Sequence, residues 1–60
     1  MNALEIYESA RKLYQAHGDK AELEAAQKAR ALSEDGKPDI AEDWRKIRAA
    51  IAEMRGSPVS

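Results

Sequence analysis

Sixty residues, with no cysteine and one histidine, make at most one small domain, with neither disulfides nor thiolate metal sites to stabilise it. A chain of this size buries only about 60% of the surface that its unfolded form exposes, so its margin of stability is small. The ten basic and eleven acidic side chains are interspersed and give a formal net charge of -1, which provides no long-range field to gather nucleic acid.

The first predicted element runs from about Asn2 to His17. Ala3, Ile6, Tyr7, Ala10, Leu13, Tyr14 and His17 recur at three- and four-residue steps, which places them on one helical face. Asn2 with Glu5 three residues later has capping-box spacing, and Gly18 provides a stop.

A second helix is expected over 19–33, with Asp19 as its cap and Glu22 in position to reach back. Its inward face is Ala21, Ala25, Ala29 and Leu32, mostly methyl groups, which allows close approach of a neighbour with little side-chain entropy lost. The run Glu34-Asp35-Gly36-Lys37-Pro38 is turn chemistry.

The third helix is expected over 39–55, capped by Asp39 with Glu42, with Ile40, Trp44, Ile47, Ile51 and Met54 on a narrow stripe. Gly56 should end it, and 57–60 reads as a short disordered tail. No strand pattern appears. The expected fold is all-α, a small three-helix bundle over 1–56, arranged either up-down-up or as an open layer of helices. Its expected core is Ile6, Tyr7, Leu13, Tyr14, Leu32, Ile40, Trp44, Ile47, Ile51 and Met54, filled in by alanines.

His17-Gly18-Asp19, the alanine-rich stretch from Ala21 to Leu32, Gly36 and Trp44 followed by Ile47 and Ile51 resemble a family of short, uncharacterised bacterial helical proteins. Members of that family carry a His-Gly-Asp turn after the first helix and a Trp near the start of the third. This chain has Asp35 before Gly36 where the family pattern would have Gly-Asp. The resemblance implies the fold and transfers no activity.

Chemistry-bearing groups are sparse. His17 in the last turn of a helix suits the dipole and the terminal carbonyls, and it has no second imidazole or thiol to form a metal site. The acidic run Glu34, Asp35, Asp39, Glu42 and Asp43 does not have the alternating ligand positions of a calcium loop. With no nucleophile beside a base and no glycine-rich phosphate loop, no catalytic residue, cofactor or metal is expected.

Two surfaces remain. Leu4 and Leu23 fall off the apolar stripes, and with Tyr7 and Tyr14 at the edge they form the candidate partner surface. Arg45, Arg48 and Arg55 lie along one flank of the third helix and form a candidate flank for an anionic partner. The first expectation is a non-catalytic protein-binding module, a regulator or inhibitor that can also form a homodimer. The alternative is a nucleic-acid-associated accessory protein using the arginine flank. Glu42 and Asp43 at the start of that helix, and the slightly negative net charge, argue against DNA. No run is apolar enough for a membrane span, and a cytoplasmic location is expected.

Overall fold

The computed structural model describes residues 1–56, and the expected tail at 57–60 lies outside the described residues. Three helices follow one another: α1 (Ala3–His17), α2 (Lys20–Glu34) and α3 (Pro38–Gly56). Among the described residues there is no strand.

The connections are short, two residues between α1 and α2 and three between α2 and α3, which forces antiparallel neighbours. Arg55 near the end of α3 stands against Glu22 in the first turn of α2, 2.6 Å apart. The Met1 nitrogen lies 3.5 Å from Asp43 in α3, so α1 and α3 run in the same direction. Of the two arrangements left open by the sequence, up-down-up is the one formed. The upper end of the bundle holds the end of α1, the start of α2 and the end of α3. The lower end holds the start of α1, the end of α2 and the start of α3.

Local chemistry explains some boundaries and corrects others. The box at α1 is complete: Asn2 Oδ1 accepts from the Glu5 amide at 2.8 Å and Glu5 Oε1 from the Asn2 amide at 3.1 Å. Gly18 (φ 59°, ψ -132°) adopts a backbone that a side chain would strain, and its amide closes α1 on the Tyr14 carbonyl at 2.7 Å. The expected box at Asp19 does not form. Asp19 is itself helical (φ -63°, ψ -19°), whereas a cap must be extended to reach the following amides. Its carboxylate instead lies 3.9 Å from Arg55, and Glu22 is taken by the same guanidinium.

At the other turn, the Lys37 amide donates to the Leu32 carbonyl and the Gly36 amide to that of Ser33, with Gly36 at φ 77°. This pairing is a Schellman stop, which Gly36 permits. Asp39 is not the cap of α3. Pro38 occupies the first helical position, where its missing N–H costs nothing, and the Lys37 carbonyl accepts the first helical bond from Ala41. Asp39 sits inside the first turn, and Glu42 pairs with Arg45 at 3.2 Å. Gly56 is the last residue of α3 and has no positive φ, so it does not act as a left-handed stop.

The core is built on Ile6, Ala10, Ala21, Ala25, Ile47 and Ile51, with Leu13, Tyr14, Trp44, Ala50 and Met54 packed around it. Among the described residues, only Ile47 and Ile51 are large and fully enclosed. Of the expected inward face of α2, Ala21, Ala25 and Ala29 are buried. α2 and α3 share the most extensive interface, and α1 packs more lightly on the pair.

Two residues placed in the core by their spacing are not there. Tyr7 is 54% exposed and Ile40 47%. Tyr7 stands at the edge of the α1 face, only partly covered. Ile40 lies on the correct stripe but one turn before Asp43, beside which the chain leading into α1 begins, so it is only partly covered. Leu32, near the end of α2, is half-buried and outside the central cluster.

Candidate functional site

The candidate partner residues do not form one patch. Leu4 (66% exposed) and Tyr7 project from the first two turns of α1. Tyr14 is half-buried against the core. Leu23 is exposed on α2 but lies in a groove with Asp19, Glu22, Ala26, Arg48 and Arg55. Its neighbour Glu24, about 100° further round the helix, meets His17 of α1, Nδ1 to Oε1, at 3.3 Å. Leu23 therefore belongs to the α2–α3 side, away from the residues of α1.

Leu4 and Tyr7 do have company at the lower end. Met1 and Ile40 are the other large apolar side chains exposed there, and the contact between the Met1 nitrogen and Asp43 brings the start of α1 beside the start of α3. Among the described residues, four of the five exposed large apolar side chains thus lie toward one end of the bundle. The spacing of Ile40 pointed to the core, because periodicity records which side of a helix a residue occupies and not whether a neighbour extends that far.

The arginine flank also resolves into parts. α2 and α3 enclose a continuous surface groove on the side away from α1, with Ala26 and Arg48 lining both halves. In the upper half, Arg55 is neutralised: Nη1 donates to Glu22 Oε1 at 2.6 Å, and Asp19 stands beyond at 3.9 Å. The lower half, about 260 Å³, is lined by Ala26, Ala29, Arg30, Ser33, Glu34, Arg45 and Arg48. Arg30, which its spacing on α2 did not single out, completes this wall, because only the packing of α2 on α3 sets it opposite Arg45 and Arg48.

The ion pairs in the lower half are weak. Arg30 meets Glu34 at 3.5 Å and Arg45 meets Glu42 at 3.2 Å, both within one helix and all four side chains more than half exposed. Exposed pairs of this kind contribute about 0.3–0.5 kcal/mol. Arg48 has no carboxylate within ion-pairing distance among the described residues.

Among the described residues, no group of three or more His, Cys, Asp or Glu side chains is placed to hold a metal ion. No helix there is long and apolar enough to cross a membrane. Comparison with protein-family models, with curated proteins and with solved structures returns no match.

Proposed function

We propose that this chain is a non-catalytic protein-binding module of the cytoplasm, a small regulator or inhibitor that occupies a partner's surface with the lower end of its bundle. The observation that carries this reading is the gathering of Met1, Leu4, Tyr7 and Ile40, all about half exposed or more, at that end. Isolated exposed leucines are ordinary, whereas several large apolar side chains grouped on a domain with so small a core mark a contact surface. Burial of such residues against a partner, or against a second copy of the chain, would stabilise the complex and supplement the meagre interior. The resemblance of His17-Gly18-Asp19 and Trp44 to short bacterial helical proteins enters this proposal as a relation of fold alone.

The nucleic-acid alternative draws less support. Arg55 already meets Glu22, with Asp19 beyond it, and those carboxylates would face any phosphate backbone laid along the flank.

The test is a Leu4→Gln/Ile40→Gln double variant, which keeps charge and helix propensity. Sedimentation velocity and affinity capture should show the wild-type chain retaining a second copy or another protein, and the variant losing it at an unchanged melting temperature. A variant that retains every association of the wild type refutes the proposal.

A further inference from the structure

We infer that the lower half of the α2–α3 groove binds a short carboxylate-rich peptide segment through Arg30, Arg45 and Arg48. The choice of a protein segment rests on the protein-binding reading; the anion preference rests on the groove itself.

Three guanidinium groups from two helices line one shallow groove with the Ser33 hydroxyl. Its floor is Ala26 and Ala29, whose methyl groups let a ligand backbone lie close to the helices. Guanidinium is a planar fork that pairs with carboxylate through two parallel hydrogen bonds. Arg48, at the junction of the two halves, has no acidic partner among the described residues, and Arg30 and Arg45 are held only by exposed intrahelical pairs that an incoming carboxylate can replace. Glu34 at the rim reduces the positive charge without cancelling it.

The occupant is peptide rather than nucleic acid for two reasons. No aromatic side chain lines either half of the groove, so unpaired bases have nothing on which to stack. The positive stretch is also short: beyond Arg48, Glu22 and Asp19 stand against Arg55 and would repel a continuing phosphate backbone. An acidic segment a few residues long needs only the lower half.

The experiment uses the full chain and a fluorescein-labelled decapeptide of glutamate and glycine, followed by fluorescence anisotropy at low salt. Binding should be saturable and fall as salt is added, because the charges are exposed. Arg48→Ala should weaken it about tenfold and Arg45→Ala/Arg48→Ala about a hundredfold, as expected for hydrogen bonds between charged groups. Arg11→Ala/Lys12→Ala removes the same charge from the outer face of α1, where these residues lie with Glu8 and Gln15, and should change binding less than threefold. Arg48→Lys keeps the charge and the fold but loses the fork, and should still weaken binding several-fold.

Equal loss in the Arg11/Lys12 control would show a bulk-charge effect and overturn the inference. Tighter binding of an oligo-dT strand or of inorganic phosphate than of the peptide would overturn it too, as would the absence of saturation. Leu4→Gln/Ile40→Gln should bind the peptide as the wild type does, so failure of the lower-end surface and failure of the groove are separately visible.

Discussion

The two ends of this bundle are finished in opposite ways. At the upper end, charge joins the helices: Arg55 reaches from α3 to Glu22 and Asp19 of α2, and His17 of α1 meets Glu24. At the lower end, the chain leading into α1 begins beside Asp43, and Met1, Leu4, Tyr7 and Ile40 stay exposed. The stripe of α3 makes the contrast plain, since Ile51 and Ile40 share one helical face, yet the first is fully enclosed and the second half exposed. A stripe stabilises a fold only over the length that its neighbours cover. Beyond that length, the same side chains are available to something else.

Truncation along that stripe should give the largest effect. Ile51→Ala should cost about 2–5 kcal/mol, as for other fully buried branched side chains. Ile40→Ala should change stability by no more than about 0.5 kcal/mol, as for surface positions. Thermal melts of the two variants measure the difference, and equal losses would mean that the lower end is as well packed as the centre.

The turns at the two ends should differ as well. Gly18 combines positive φ with an extended ψ, a region that side chains hardly enter, so Gly18→Ala should cost about 2–3 kcal/mol although a Cβ there meets open space. Gly36 closes a Schellman stop, and Gly36→Ala should cost about 1–2 kcal/mol. Chemical denaturation of both variants orders the two turns.

A small effect is also expected at the charged clamp. Arg55→Gln should lower stability by about 1 kcal/mol or less, because the guanidinium is 45% exposed. Repeating the measurement at about 1 M salt, where exposed charges are screened within about 3 Å, should shrink the difference. A loss that salt does not touch would point to packing by the arginine stem.

What the sequence made legible follows from range. The Asn2 box, the glycines at 18 and 36 and the alanine face of α2 depend on residues a few positions apart, and each is where the spacing placed it. Asp19 holds the N-cap position of α2 without a side-chain cap bond, and Asp39 lies inside α3, because backbone angles and Pro38 decide how a helix starts and a serviceable side chain alone does not. The Arg55 clamp joins residues thirty-three apart, and Arg30 meets Arg45 and Arg48 only once two helices lie side by side. Such juxtapositions are products of tertiary register, and no local pattern announces them.

The lighter packing of α1 has one more consequence. α2 and α3 are joined by three residues and share the broadest contact, so closing them costs little chain entropy and they make a self-consistent hairpin. α1 contributes Ile6 and Ala10 to the common interior and is fastened to that hairpin by two residues. With the lesser contact, α1 is the helix expected to open first, its amides exchanging ahead of those of α2 and α3 in native-state hydrogen exchange. The hairpin is then a cradle that takes one helix, and the chain's own α1 is the occupant with the shortest tether.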